Sequence, residues 1–315
     1  MDELDVRIFR ALVSESAVSP SNPQIKTSLR AVASRLGVDD MTVNYRYKRL
    51  QELGWMSIWQ LIVNPTFFGC KMLDVMVDVQ PEAAKADMIR KLKLIQGIVL
   101  LLNFYGKALK ILAMYNSDES RSRTIELISR ITNAEKLTHS HMALPASRTG
   151  NLTETDVAII HALGKDARRS TVSVANELGL STKTVRNRID RLRNDNTIFT
   201  IPSLNISGIH GLIPVLLSYS YSDREAKGSV DREILSHFES NYLWGGFSDL
   251  DIGTIMLSAP TASDIQKFLD WAKAQRGIAS ARADIPIEQL TFPEKLNELL
   301  ESRNAIRVLQ RNALL

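Results

Sequence analysis

The chain has 315 residues, which at roughly 100–200 residues per domain suggests two domains, or more if they are small. Apolar residues make up 44% and charged residues 23%, a globular balance that excludes disorder as the main state. Lysine and arginine outnumber aspartate and glutamate by 39 to 35, a net of +4 that by itself does not prove a nucleic-acid partner, and the single Cys70 excludes an internal disulfide or a multi-cysteine metal centre.

The first segment, Met1 to Arg10, is acidic and amphipathic and lacks the basic-then-apolar order of a signal peptide. A Pro-, Ser- and Asn-containing stretch, SPSNPQIKTS, reads as a loop. Val32 to Met56 then holds two helices around Gly37, followed by a short alternating segment, Met56 to Val63, that suggests a wing. Beyond it come an apolar alternating run at Met72–Val79 and a helical pattern at Pro81–Ile95. Strand-like runs follow at Ile98–Tyr105 and Leu109–Tyr115, then a helix at Ser117–Ile131 and a strand near Leu137–Leu144. After the polar boundary Ala146–Asn151 the series repeats. Its strands are Ile213–Tyr221, Tyr242–Phe247, Ile252–Ser258 and Ile278–Ile285, with helices at Ser229–Glu239 and Thr261–Gln275. The last segment, Pro293–Asn312, has the leucine spacing of an amphipathic helix that packs on a partner surface. The chain's longest apolar run, Ile98–Leu102, is far short of the roughly 20 residues of a membrane span, so no membrane partner is expected and the location reads as cytoplasmic.

The chain contains itself twice. Val32–Met56 aligns without gaps on Val174–Ile198, with nine of 25 positions identical, and Leu4–Leu12 mirrors Thr155–Leu163. Each following series has the order β-α-β-β-α-β of a ferredoxin-like domain. The fold class is therefore α+β, with two winged helix-turn-helix domains alternating with two ferredoxin-like domains. The boundaries are 1–64 and 151–205 for the heads, 65–146 and 206–290 for the ferredoxin-like units, and 291–315 for the C-terminal helix.

Each head supplies a small residue for close helix crossing (Ala33, Ala175), a glycine for the turn (Gly37, Gly179) and an inward valine (Val43, Val185). Val43, Tyr47 and Leu50, like Val185, Ile189 and Leu192, fall at i, i+4 and i+7 and point inward. Thr42, Asn44, Tyr45, Lys48 and Arg49 are then outward in the first head. Thr182, Lys183, Arg186, Asn187 and Arg193 are outward in the second. Ser181, Thr184 and Arg191 join them as candidate DNA contacts, as do Arg46 and Arg188, whose equivalent positions leave bracing and phosphate contact both open. Lys183–Arg193 holds five basic residues and one acidic, a net of +4; Thr42–Arg49 holds three basic and none acidic. Such local focusing is the footprint of phosphate binding, and Arg and Asn pair with guanine and adenine edges. Double-stranded DNA is the expected partner.

These residues resemble the Lrp/AsnC (feast/famine) regulators. The resemblance rests on Leu4-Asp5-Val6-Arg7-Ile8, on Val-Ala-x-x-Leu-Gly in both heads, and on Thr-Val-x-x-Arg-x-x-Arg-Leu at Thr42–Leu50 and Thr184–Leu192. It implies a winged helix-turn-helix joined to a ferredoxin-like ligand-binding domain, here fused in tandem, with dimerisation through the latter. A homo-oligomer or an internal pseudo-dimer is therefore expected, and unequal heads imply an asymmetric operator. The family's Gly-x-x-Asp effector turn departs in both copies. Gly106-Lys107-Ala108-Leu109 loses the aspartate, while Ser248-Asp249-Leu250-Asp251 loses the glycine. Ser248, Asp249 and Asp251 are thus the effector-binding candidates for a small molecule.

No nucleotide-binding or hydrolase motif is present, so no cofactor is expected. His139 and His141 put two imidazoles on one face of a strand but lack further ligands at a metal-binding spacing, so no metal is expected. The chain is read as a regulator and not as an enzyme. The rival is a siroheme decarboxylase, similar to this family in fold and also found as fused tandem chains. That resemblance implies His and Arg around a tetrapyrrole pocket, and Leu100–Tyr105 and Asn241–Gly246 contain neither. A ligand-binding or assembly module that has lost DNA binding is the third reading.

Overall fold

The computed structural model describes residues 2–13, 28–53, 55–134, 136–142, 144–148, 150–164, 166–223, 225–247 and 252–312. The expected loop around SPSNPQIKTS lies largely outside them, as do Ser248, Asp249 and Asp251. The first head comprises α1 (Glu3–Val13), α2 (Leu29–Leu36), α3 (Asp40–Glu52) and the wing strand β1 (Met56–Val63). Its core closes where Phe9 of α1 meets Trp55, ring centroids 4.2 Å apart. The second head comprises α6 (Glu154–Gly164), α7 (Thr171–Leu178), α8 (Thr182–Asn194) and β6 (Ile198–Leu204).

Between the heads lie β2 (Lys71–Asp78), α4 (Lys85–Leu92), β3 (Ile98–Phe104), β4 (Ala108–Tyr115), α5 (Asp118–Thr132) and β5 (Leu137–Met142). After the second head come β7 (Ile213–Tyr221), α9 (Lys227–His237), β8 (Tyr242–Phe247), β9 (Ile252–Ala259), α10 (Ala262–Ala274) and β10 (Ile278–Asp284). The strand orders β5-β2-β4-β3 and β10-β7-β9-β8 are the same antiparallel ferredoxin-like arrangement. Period-2 alternation in β2 sends Leu73, Val75 and Val77 under α4 and α5, where Met88, Ile89, Leu92 and Ile128 complete a dry core. Val215 and Leu217 of β7 meet Val230 and Ile234 of α9 and Phe268 of α10 in the same way.

The opposite faces of the two sheets turn towards each other. Leu100, Leu102 and Leu112 from one face Leu216 and Met256 from the other across a shared space. The wings pair as well. β1 and β6 run antiparallel, Val63 opposite Ile198 and Leu61 opposite Thr200. One continuous core runs through both heads and both sheets, with Phe9, Val43, Leu102, Val185, Leu216 and Met256 among its members.

Two expectations need correction. Residues 286–290 were assigned to the second ferredoxin-like unit, yet β11 (Pro286–Thr291) crosses over and pairs antiparallel with β3 of the first sheet, Leu290 opposite Leu101. The reason is the open edge of β3, whose unpaired backbone groups accept another strand. The C-terminal helix, α11 (Pro293–Asn312), has its first turns on this chain's own surface, where Leu296 packs with Ile62, Met72 and Met114. No helix among the described residues is long and apolar enough to cross a membrane.

In the first sheet unit the β3–β4 turn is tied down from below. Lys85 is 7% exposed, and its ammonium donates to the carbonyls of Phe104 at 2.6 Å and Gly106 at 2.7 Å. Burial lowers its pKa to about 8. The folded chain therefore sheds this proton before the unfolded chain does, and stability gains from Lys85 as pH rises from about 8 towards 10.5. Lys85→Met should remove that component. The slope of the denaturation midpoint between pH 8 and pH 10 should be lower in the variant than in the parent chain. Equal slopes would mean that Lys85 titrates normally.

Candidate nucleic-acid interface

Each recognition helix is set up by a turn and a cap that the sequence dictates. α2 ends at Gly37 (φ +66) and α7 at Gly179 (φ +65), and both glycine N–H groups donate back to the small crossing residue, Ala33 or Ala175. This left-handed conformation is open to glycine at no steric cost. The next helix then starts at a side-chain cap. Asp39 accepts from the Thr42 N–H at 3.1 Å, and Ser181 from the Thr184 N–H at 3.0 Å. Val43, Tyr47 and Leu50 are buried in α3, and Val185 and Leu192 in α8, with Ile189 half-buried beside them.

The inward faces fix the outward ones. Asn44, Tyr45, Lys48 and Arg49 are exposed on α3, and Lys183, Arg186 and Asn187 on α8. Thr42, Thr182 and Thr184 sit half-buried in the first turns; Ser181 is exposed and engaged as a cap. Lys48, Arg49, Lys183 and Arg186 have no ion-pair or hydrogen-bond partner among the described residues. Four cations are thereby left free to meet phosphate or base edges.

The other arginines are committed within the heads. Arg46 pairs with Asp2 and, at 3.1 Å, with Asp5. In the second head Arg188 (3.4 Å) and Arg191 both pair with Asp156, which is fully buried. Arg193 pairs with Asp190 at 3.4 Å. The two aspartates have a second duty. Asp5 and Asp156 accept the N–H of Asp2 and Thr153, and each in turn donates its own N–H to the side chain of that residue, which caps the start of the first helix. The aspartate of each Leu-Asp or Thr-Asp pair thus ties the first helix of its head to the recognition helix. Sequence spacing alone leaves Arg46 and Arg188 open between bracing and phosphate contact; in the fold both are paired with aspartates of the first helix.

The heads also grip one another, a feature sequence analysis missed. Arg168, from the loop between α6 and α7, lies over the Tyr47 ring at 5.3 Å and the Trp59 ring at 5.2 Å, and the Ala167 N–H donates to the Trp59 carbonyl at 2.8 Å. Burial lowers the pKa of Arg168. Its only signal in the sequence is an arginine next to a second one in a loop, which nothing ties to an aromatic pair more than a hundred residues upstream.

A cavity of about 480 Å³ lies between the two sheets. Lys110 of β4 and Asp74 of β2 form a 2.7 Å ion pair on its wall, and both are nearly buried. Arg282 of β10 reaches across to Asp78 at 3.1 Å while also holding Asp284. Several hydroxyls, Ser140 and Ser218 among them, complete the lining. Basic groups therefore do surround an inter-sheet space. They come from β4 and β10, whereas the decarboxylase resemblance pointed to β3 and β8. His141, on the same face of β5 as His139, is hydrogen-bonded to the Tyr115 hydroxyl and faces Arg121 at 3.4 Å.

The architecture is that of a protein that couples winged helix-turn-helix heads to ferredoxin-like sheets. Residues 152–193 match the AsnC-type helix-turn-helix domain. No curated protein matches the chain. Among solved structures, siroheme decarboxylase NirDL is similar over 97% of this chain and 100% of its own, at 11% identity and a TM-score of 0.55. Its co-complex with an iron-uroporphyrin III analogue is similar over 96% and 99%, at 10% identity and a TM-score of 0.51. Escherichia coli AsnC is similar over 47% of this chain and 97% of its own, at 18% identity and a TM-score of 0.32. The expectation that the chain is not an enzyme is corrected here. The fold it shares along nearly its whole length is also the fold of a decarboxylase, and a motif search has no power over a site assembled from distant strands.

Proposed function

We propose that this chain is a sequence-specific DNA-binding transcription regulator that carries both heads of an internal pseudo-dimer on one polypeptide. The observation that carries the reading is the AsnC-type head, residues 152–193, with Lys183 and Arg186 exposed on its recognition helix and without an ion-pair partner among the described residues. Wing pairing and the Arg168 contact support a fixed relation between the heads, and the recognition helices would enter successive major grooves. The heads are unequal. The helix-start positions Asp40 and Met41 of the first correspond to Thr182 and Lys183 of the second. An aspartate there repels phosphate that a helix N-terminus would attract, so the second head supplies most of the affinity. The ferredoxin-like sheets serve assembly and the sensing of a small molecule, and the reading goes with a cytoplasmic location. Salt titration tests it. Removing a phosphate-contacting cation, as in Lys183→Ala, should flatten the slope of log affinity against log salt by about 1. Unchanged slopes for Lys183→Ala and Lys48→Ala would contradict it.

A second reading is favoured by the inter-sheet cavity together with the NirDL fold. On that reading the cavity takes a substrate, with Lys110 and Arg282 as its basic groups. Titrating the purified chain with iron-uroporphyrin III and following the absorption band tests it directly. A saturable shift lost in Lys110→Ala supports the reading, and a band that never departs from that of the free compound removes it.

A further inference from the structure

The two recognition helices present different chemistry at the positions that reach base edges. We infer that the first head reads thymine through its methyl group, using Met41 and Tyr45; this rests on the DNA-binding reading above. Helix-turn-helix proteins contact bases from the first turns of the recognition helix. There the 142-residue register sets Met41 against Lys183, Asn44 against Arg186 and Tyr45 against Asn187. Met41 is 78% exposed and Tyr45 68%, and one helical turn separates them on a common face. A single exposed apolar side chain needs no explanation. Two stacked on the face that its twin fills with a lysine and an asparagine form a small apolar surface aimed where DNA would lie. Asn44 between them has already given its amide to the Asp40 carbonyl at 2.7 Å, which reduces its capacity to pair with adenine.

The major groove offers one apolar group, the C5-methyl of thymine, so a Met–Tyr pair has one complement there. Lys48 and Arg49, exposed on the next turn of the helix, supply the phosphate contacts that would hold the pair against the groove. Burying one methyl is worth about 0.8 kcal/mol, or roughly fourfold in affinity. The second head, with Arg186 and Asn187 at two of these positions, reads purine edges instead. The preferred site is then a composite of one half rich in thymine and one rich in guanine and adenine.

Replacing thymine by deoxyuridine deletes the methyl and leaves every hydrogen-bonding edge in place. The full chain is first used to select sites from random duplexes, and each thymine of the winning site is then exchanged for deoxyuridine. Affinity should fall roughly fourfold per exchange at one or two thymines of a single half-site. M41A/Y45A should lose that sensitivity, while Arg186→Ala should weaken binding but keep it. Both side chains are mostly in water, so M41A/Y45A should melt at the parental temperature. Sequence-selective binding that ignores deoxyuridine, or sensitivity that survives in M41A/Y45A, would overturn the inference and leave DNA binding intact. A failure to select any sequence would overturn DNA binding and this inference together. A self-associated species that M41A/Y45A disperses would assign the face to a second copy of the chain and likewise overturn it.

Discussion

Replacing Asp156 with alanine is expected to destabilise the second head by about 3 kcal/mol, the low end of the 3–5 kcal/mol range for removing one partner of a buried ion pair. The low end applies because Arg188 and Arg191 keep 33% and 40% of their side-chain surface in water and can rehydrate. Burial pushes the Asp156 carboxyl up, but its bonds from Thr153 and Arg191 outweigh burial and leave it below the usual carboxylate range. Its contribution is thus complete above the ordinary carboxylate pKa and is lost as pH falls through the depressed one. Chemical denaturation of parent and variant should differ most at neutral pH and converge in strong acid. A neutral-pH difference below about 1 kcal/mol would show that the two arginines find equal partners elsewhere, and the tie between first and recognition helix would lose its basis.

Arg186→Ala has the larger expected effect on function. Arg186 is exposed on the first turns of α8 and has no partner among the described residues, so its removal costs the fold nothing. If it reads a base, specific binding weakens by about 1–3 kcal/mol and the preference at one position of the site relaxes, while non-specific binding changes little. Competition against random duplex separates the two effects. Unchanged affinity and unchanged preference would remove Arg186 from the reading face.

Local rules made the heads legible. Glycine at the turn, a capping side chain three residues before its N–H donor and valine six residues after the glycine are all requirements within one motif, and both copies meet them. The sheets followed from period-2 alternation, with strand ends off by a residue or two. Long-range pairing was not legible. β11 carries no mark that sends it to β3, since its choice depends on which sheet edge is open once the chain has folded. The same holds for Arg168, whose aromatic partners lie in the other head, and for the cavity, whose charged residues are each flanked by ordinary strand neighbours. The recognition helix was legible in its faces and only partly in its roles. Arg46, Arg188 and Arg191 count towards the basic run, but buried aspartates on the first helix of each head claim them. Lys48, Arg49, Lys183 and Arg186 are the exposed cations of the two helices that have no ion-pair partner among the described residues.

On the proposed function this chain recognises a DNA sequence with two different heads. The most direct test is to incubate the purified full chain with fragmented genomic DNA at two salt concentrations and to sequence what is retained. An enriched motif of two dissimilar half-sites at a fixed spacing is expected, with retention falling as salt rises. Retention without a shared motif, or none at the lower salt, would contradict it and move attention to the cavity between the sheets.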